Sequence, residues 1–178
     1  KQQGIALSIG NSRGKIMYQL MNQTDIPGDS LYLMGHSRGV VYFTLPLTEP
    51  AGFVTENLLP SGIASFSVIN RKGQIYCERL AFIRNTIKQP QIQILEQKSP
   101  LTQRSKGEVQ LSILQQGKPW AGKLSASITD IKYVSPDTTG TNIRNYLLLS
   151  SDIKGYIENP EDYFRDDSPL TRETKDML

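Results

Sequence analysis

The sequence is poor in the residue types from which metal sites, disulfides and many catalytic centres are built. Its 178 residues include one cysteine, Cys77, and one histidine, His36. A single cysteine excludes an internal disulfide framework but leaves the cellular compartment open, because many exported β-sandwiches contain no disulfide. One histidine and one cysteine cannot form a structural zinc site without carboxylate ligands. We therefore expect no metal and no cofactor, and we expect Cys77 to be a buried thiol that packs as a small hydrophobic side chain.

Clusters of positive charge and long apolar segments are also missing. Lysine and arginine outnumber aspartate and glutamate by 20 to 17, but no run of basic residues is longer than two. Nucleic-acid-binding domains usually gather basic residues on one face with aromatic residues between them, so we expect no nucleic acid as a partner.

No apolar stretch approaches the roughly 18 residues that mark a transmembrane helix, and we expect no membrane span. The chain begins at Lys1 without a signal peptide, which we interpret as a processed or artificial end and not as the mark of a cytosolic protein.

Alternation of apolar and polar residues is the dominant pattern in what the sequence does contain. It is clearest in residues 120–129, WAGKLSASIT, and it recurs at residues 64–68 and 109–113. A period of two residues predicts half-buried β-strands. On the same parity, Trp120 is expected to face a core. The pattern predicts an all-β protein with antiparallel sheets.

Short polar segments with a glycine separate the predicted strands. The glycines concerned are Gly14, Gly39, Gly73 and Gly117. Such segments suit hairpin loops in which glycine takes the left-handed backbone conformation at little steric cost. Short strands joined at this spacing are typical of a β-sandwich or a β-barrel.

Helical pattern is confined to the region near the C-terminus. Residues 142–149 predict a short helix capped by Thr141 or Asn142, and residues 171–178 predict a helix that is cut off in mid-pattern. We expect short helices only in this part of the chain.

A change from strand-like to polar sequence at residues 84–91 predicts a domain boundary. We therefore expect one domain over residues 1–86 and a second over residues 87–178. The second domain would end in a partly truncated helical segment.

Residues 35–39, GHSRG, match the G-x-S-x-G nucleophile elbow of serine hydrolases. In those enzymes the serine lies on a turn from a strand into a helix, and a histidine from a later part of the chain serves as the base. Here residues 40–45 are mostly β-branched or aromatic, Pro46 would interrupt a helix, and the only histidine is adjacent to Ser37. We expect a hairpin turn, no catalytic residue and no enzymatic activity.

Acidic side chains are the remaining candidates for a site. The acidic turn over residues 161–167 offers oxygen atoms to calcium, and two further pairs of carboxylates offer the chemistry of a glycoside hydrolase. The residues concerned are Glu161, Asp162, Asp166 and Asp167 in the turn, and the pairs Glu49 with Glu56 and Asp25 with Asp29. The turn lacks the spacing that pre-arranges calcium ligands, and solvated acidic side chains are the simpler interpretation.

Several stretches of the chain together resemble a known family. Residues 59–66 and 73–83 resemble the end of a macroglobulin-like domain in large cell-envelope proteins of Bacteroidetes, and residues 117–130, 146–160 and 163–164 resemble the domain that follows it. The resemblance covers nearly all of the chain, with the blocks in the family's order. It implies two immunoglobulin-like, macroglobulin-type antiparallel β-sandwiches in tandem, exported to the periplasm or held at the outer membrane.

Members of this family often continue into a carboxypeptidase-like regulatory domain and the plug domain of a TonB-dependent receptor. True α-macroglobulins trap proteases through a Cys-Gly-Glu-Gln thioester, which residues 77–80, CERL, do not match. The resemblance therefore implies no catalytic residue and gives no direct support to protease trapping.

The leading hypothesis is a non-enzymatic structural or interaction module of a larger exported envelope protein, associated with TonB-dependent uptake. Its partners would be other domains of the same polypeptide and an outer-membrane protein.

An alternative is a glycan- or peptide-binding module that uses surface aromatic residues, because exposed rings stack on sugars and anchor interfaces. Tyr156, Tyr163 and Phe164 lie in irregular sequence and are the candidate surface residues for such an interaction. A third hypothesis, a protease bait or inhibitor region without a thioester, needs an exposed loop, and residues 96–106 are polar enough to form one.

Overall fold

The chain folds as a mostly β protein whose sheets are antiparallel, as the alternation predicts. A computed structural model describes residues 4–12, 14–27, 30–85, 90–97, 106–135 and 140–164. The chain divides into two compact units, one formed by Lys1–Asn85 with Asp137–Leu178 and the other by Thr86–Pro136.

The first unit contains seven strands in two sheets. The strands are β1 (Ile5–Ser12), β2 (Lys15–Asn22), β3 (Leu31–Ser37), β4 (Val40–Pro46), β5 (Ala51–Thr55), β6 (Gly62–Asn70) and β7 (Ile75–Ile83). A three-stranded sheet has the order β1-β2-β5, and a four-stranded sheet has the order β4-β3-β6-β7. Every pairing is antiparallel, which the short polar connections of the sequence favour.

Apolar side chains from both sheets meet in one core, so the unit is a β-sandwich. Alternation places them there: in β3, Leu31 and Leu33 are buried while the residues between them are partly exposed. The remaining buried members of this core are Leu7, Ile16, Leu20, Leu47, Val54, Leu59, Ala64, Phe66, Val68, Ala81 and Ile83. Burial of side chains of this size stabilises a fold by about 1.5–3 kcal/mol each, which makes this core the main source of stability of the unit.

The hairpin turns have the backbone conformation that the glycines predict. Gly14, Gly39, Gly73 and Gly117 all have φ between 75° and 80°. At two of the turns the preceding residue is also left-handed, with φ of 50° at Arg38 and 52° at Gln116. Positive φ at both central residues matches the twist of the flanking strands and closes a two-residue hairpin. The prediction of hairpin loops is confirmed at these positions.

The helical turns near the C-terminus are short. They comprise an α-helical turn, Ile143–Asn145, a π-helical turn, Tyr146–Ser150, and a 3-10 turn, Pro160–Phe164. The side chain of Asn142 accepts hydrogen bonds from the main-chain N–H groups of Arg144 and Asn145, so Asn142 and not Thr141 caps the predicted helix. A further 3-10 turn, Glu56–Leu58, lies outside this region, so the expectation of helices only near the C-terminus is wrong. The predicted helix over residues 171–178 lies outside the described residues.

A second apolar cluster lies on the outer face of the four-stranded sheet. Ile63 and Phe82 point away from the sandwich core and pack against residues 140–164, which we call the C-terminal segment. The ring centroid of Phe82 lies 5.7 Å from that of Tyr163 and 5.0 Å from that of Phe164, both in edge-to-face orientation. The C-terminal segment therefore covers this outer face.

The C-terminal segment is also held by polar contacts to the β3–β4 hairpin. Arg38 forms an ion pair with Asp152 at 2.8 Å and donates a hydrogen bond to the carbonyl of Leu147. These contacts, with the apolar cluster around Phe82, place the segment in the first unit, whereas the sequence predicts it within a second domain over residues 87–178. The first stretch of this unit ends at Asn85, one residue before the predicted end of the first domain at residue 86.

The second unit contains a three-stranded antiparallel sheet. Its strands are β8 (Gln91–Gln97), β9 (Val109–Gln115) and β10 (Lys118–Pro119), in the order β10-β9-β8. The predicted strand over residues 120–129 is wrong as a paired element, because only Trp120 is hydrogen-bonded to the sheet, through its N–H to the carbonyl of Ile113. Alternation shows that a segment suits a half-buried strand, but a strand also needs a neighbour, and residues 121–129 have none within the described part of the chain.

We expect Phe82→Ala to destabilise the chain by about 3–5 kcal/mol, because the substitution leaves a cavity between β7 and the C-terminal segment. The matched control is Phe53→Ala, since Phe53 is half-exposed on the outer face of the three-stranded sheet and should cost about 0.5 kcal/mol. Denaturant unfolding of both variants measures the difference. Equal losses would show that the C-terminal segment does not contribute to stability through Phe82.

Candidate interaction surface

The serine of the elbow-like motif lies in a hairpin and is buried. Ser37 is the last residue of β3, and its Oγ donates a hydrogen bond of 2.7 Å to the carbonyl of Ile63 on β6. The chain continues from Gly39 into β4 and not into a helix. The hairpin predicted for this motif is confirmed, and the hydroxyl of Ser37 is engaged in holding β3 against β6.

A histidine, a serine and a glutamate do come together on the four-stranded sheet. The Nε2 atom of His36 lies 3.3 Å from Oγ of Ser67, which in turn donates to Oε2 of Glu78 at 3.2 Å. In a hydrolytic triad the carboxylate contacts the imidazole and the serine is free to attack. Here the fully buried serine lies between the other two groups, so the arrangement joins three neighbouring strands and lacks the geometry of a triad.

Two of the acidic candidates, Glu56 and Glu161, accept hydrogen bonds from neighbouring groups of the first unit. Oε1 of Glu56 accepts a hydrogen bond of 2.7 Å from the main-chain N–H of Arg84. The carboxylate of Glu161 accepts hydrogen bonds from the side-chain amides of Asn142 and Asn145, which form the helix cap. Over the described ranges, no group of three or more histidine, cysteine, aspartate and glutamate residues is placed to hold a metal ion. Asp166 and Asp167 of the predicted acidic turn, and Asp29, lie outside those ranges.

The thiol of Cys77 is half-buried on β7 and packs against the sandwich core. Burial raises its pKa above the ordinary value, and the nearby Arg79 and a main-chain hydrogen bond from Val68 offset part of this shift. A raised pKa leaves less thiolate at neutral pH, so Cys77 behaves as a small packing residue.

The three aromatic residues predicted to lie on the surface occupy two different environments. Tyr156 is 90% exposed, as expected. Tyr163 and Phe164 are only 6% and 5% exposed, so the predicted surface position of these two residues is wrong. The 3-10 turn Pro160–Phe164 directs both rings at Phe82, and the guanidinium of Arg144 lies 4.5 Å from the centre of the Phe164 ring. Burial also raises the pKa of the Tyr163 hydroxyl.

An exposed apolar surface lies on the sheet of the second unit. The register of β8 and β9 pairs Ile92 with Ile113 and Ile94 with Leu111, and Trp120 follows next to Ile113 on the other side of β9. Residues directly opposite each other in an antiparallel pair share a face, so these five side chains lie together. We call them, with Val109 on the same parity of β9, the apolar face.

The opposite face of this sheet is polar at most positions. It carries Gln91, Gln93, Gln110 and Ser112 together with Leu114. The sheet is therefore amphipathic, as a sheet that packs on a core would be, yet none of the described residues of this unit is buried. Ile94, on the edge strand β8, is 65% exposed.

Trp120 contributes to the apolar face and not to a core. Its ring lies against the backbone of Gly122, where a Cβ atom would come within 2.1 Å of the ring. Side chains larger than hydrogen at residue 122 would therefore displace the indole. The expectation that Trp120 is a core residue is wrong for the described structure, since the indole is about half exposed.

The alternation in β9 is visible in the sequence, but it does not show whether a face is covered. The informative signal is the small number of strands: three described strands form only one layer, and a sheet needs a second layer to bury its apolar face. Large contiguous apolar surfaces occur at sites of protein–protein contact, membrane contact and ligand binding.

We expect Ser37→Ala to lower the free energy of unfolding by about 1 kcal/mol, because it removes a buried hydrogen bond to the carbonyl of Ile63. Ser8→Ala is the control, since Ser8 is exposed on β1. Denaturant unfolding compares the two variants. An ester-hydrolysing activity of the purified chain that is lost in Ser37→Ala would contradict the interpretation of this residue as structural.

The alkylation rate of Cys77 should increase at a higher pH in the folded chain than in the chain unfolded by denaturant, because the thiolate reacts and burial raises the pKa. Arg79→Gln should move the profile to a still higher pH, since Arg79 favours the thiolate. Iodoacetamide labelling followed by mass spectrometry gives both profiles. A folded-state profile at the same or lower pH would show that burial does not control this thiol.

No helix among the described residues is long and apolar enough to cross a membrane. No protein-family model matches the chain, and neither curated proteins nor solved structures include a significant match to it.

Proposed function

We propose that the chain is a non-enzymatic structural and interaction module of a larger exported envelope protein, and that the apolar face of the second unit is its docking surface. The observation that carries this proposal is the amphipathic sheet of β8, β9 and β10, whose apolar side is exposed. A second β layer, supplied by a neighbouring domain of the same polypeptide, is the partner that fits it.

The chemistry of the surface supports a sheet as the partner. The apolar face contains isoleucine, leucine, valine and tryptophan, and Gln115 and Lys118 lie at one end of the same side of the sheet. Sheets pack face to face at about 10 Å, with interdigitated apolar side chains such as these.

The size of the surface supports a tethered partner. Two strands of seven residues and one of two residues, about 4.8 Å apart and with about 3.4 Å per residue, cover about 260 Å². A stable complex of separate proteins buries about 800 Å² on each partner, so this face alone would hold an untethered protein weakly. A domain joined by the chain itself avoids most of the entropic cost of association and needs less contact area.

The strand arrangement of the first unit supports the expected immunoglobulin-like, macroglobulin-type sandwich. Its first, second and fifth strands form one sheet, and its third, sixth and seventh strands lie in the other. Strands A, B, E and C, F, G divide in the same way in immunoglobulin-like domains. The periplasmic or outer-membrane location, and the association with a TonB-dependent receptor, are proposals that rest on the family resemblance.

A second candidate function is the binding of a glycan or a peptide by surface aromatic residues. Tyr156 favours it, because its ring is almost fully exposed in irregular structure and is free to stack on a ligand. Loss of binding to a glycan or peptide panel in Tyr156→Ala would support this function, and an empty panel would oppose it. The protease-bait hypothesis concerns residues 96–106, most of which lie outside the described residues.

If a neighbouring domain covers the apolar face, Leu111→Lys should alter the protein only when that domain is present. In the chain alone this substitution should change the free energy of unfolding by less than about 0.5 kcal/mol, because Leu111 is exposed. In a polypeptide extended through the neighbouring domains, it should increase main-chain hydrogen exchange of β9, because a lysine on the apolar face would block the second layer.

The matched control is Ser112→Lys, which adds the same charge to the same strand on the polar face. Hydrogen exchange measured by mass spectrometry compares wild type and both variants, each with and without the neighbouring domains. Equal exchange of β9 in the short and extended wild-type chains would overturn the proposal.

A further inference from the structure

Residues 121–129, which we call the pairing segment, have the sequence of a strand but pair with no strand among the described residues. Their apolar and polar residues alternate, as in the strands that do pair. Each of these residues is exposed, with Ile128 92% exposed, and no hydrogen bond joins their main chain to the rest of the described structure. The segment directly follows β10 and Trp120, so an ordered strand leads into it.

Unpaired main chain with the sequence of a strand and few charges is a template for pairing with another strand. The pairing segment carries one charged side chain, Lys123, and contains no proline. Other solvent-exposed strands of the chain carry charged side chains that oppose association with another strand. Glu78 and Arg79 on β7 are examples. The segment therefore lacks the features that normally keep an exposed strand from associating.

We propose that the pairing segment forms an antiparallel strand pair with the pairing segment of a second copy of this chain, about a two-fold axis at Leu124. This inference does not rest on the proposed docking of a neighbouring domain, because it uses the main-chain edge of residues 121–129 and shares only Trp120 with the apolar face.

The sequence selects this register. With the axis at Leu124, Trp120 lies opposite Ile128 of the other copy, and Gly122 lies opposite Ala126. Apolar residues thus face apolar residues along one side of the pair, which is the arrangement that stabilises neighbouring strands. The small residues Gly122 and Ala126 leave space beside the indole, which already lies against Gly122.

The polar side of the pair is also compatible in this register. Lys123 lies opposite Ser125 of the other copy, and Ala121 lies opposite Ser127, so no like charges oppose each other. An axis at residue 123 would place the two Lys123 side chains opposite each other, which is destabilising. An axis at residue 125 would place Trp120 opposite Asp130. The axis at Leu124 is the register that avoids both conflicts and pairs both large apolar residues.

The dimer should be weak and reversible. A single strand pair buries far less than the roughly 800 Å² per partner of a stable complex. We therefore expect dimerisation that grows with protein concentration and is detectable by sedimentation velocity at high concentration.

Cross-linking through single cysteines tests the register. In a Cys77→Ser background, Leu124→Cys places two thiols opposite each other on the two-fold axis, within disulfide distance. Ala121→Cys is the matched control, because it lies in the same exposed segment but about 20 Å from its counterpart in the paired register, given about 3.3 Å per residue. We expect Leu124→Cys to form disulfide dimers at least about tenfold faster than Ala121→Cys under mild oxidation, because only opposed positions meet the distance limit.

A mixture of Ala121→Cys and Ser127→Cys chains should form the heterodimer faster than either homodimer, since these positions oppose each other. In the Leu124→Cys chain, Ser125→Pro should slow cross-linking to the rate of the control without changing the melting temperature, because the free segment has no main-chain hydrogen bond to lose. Equal cross-linking at residues 121 and 124, or wild-type chain that sediments as a monomer at every concentration, would overturn the proposal.

Discussion

The burial of strand β6 on both of its faces is the constraint on which the first unit depends. Seven successive residues of this strand, from Gly62 to Val68, are buried. Alternation sends Phe66 into the core between the two sheets and Ile63 in the opposite direction, towards the C-terminal segment. A strand of this kind in an antiparallel sheet requires a covering layer on each side. The three-stranded sheet supplies one layer, and the C-terminal segment with Leu149, Tyr163 and Phe164 supplies the other.

The local features of this arrangement could be predicted from the sequence, because each depends on residues that are close together in the chain. The hairpin at Gly39 follows from a short polar turn between two β-branched segments, and the cap at Asn142 follows from a side chain that reaches N–H groups two and three residues later. The burial of Tyr163 could not be predicted in the same way, because its contact with Phe82 joins residues that are 81 positions apart. Residues 120–129 illustrate the same limit, since alternation indicates that a segment suits a strand but does not identify the neighbour that it needs.

The GHSRG motif shows that the structural context of a short motif determines its role. A nucleophile elbow needs a strained turn into a helix, which exposes the serine hydroxyl. In this chain the same pattern of glycine and serine forms a two-residue hairpin between two strands, and Ser37 donates its hydrogen bond to the backbone of β6. The β-branched residues after Gly39 determine this outcome, because Val40 and Val41 favour continuation as a strand.

The two units differ in how they meet the requirement that a sheet bury its apolar side. In the first unit, segments of the same chain cover both faces of the four-stranded sheet around β6. The apolar residues of β6 are therefore buried without a partner protein. In the second unit, β8 and β9 carry the same kind of apolar residues, and no residue of that unit whose exposure the structure describes is buried. Isolated layers of two or three strands are marginally stable in water, and apolar side chains that remain exposed contribute little to folding. A sequence that maintains isoleucine, leucine and tryptophan on one face and glutamine and serine on the other is therefore suited to a complex in which that face is covered. The association surfaces of the chain are accordingly expected in the second unit, while the first provides the stable body that carries it.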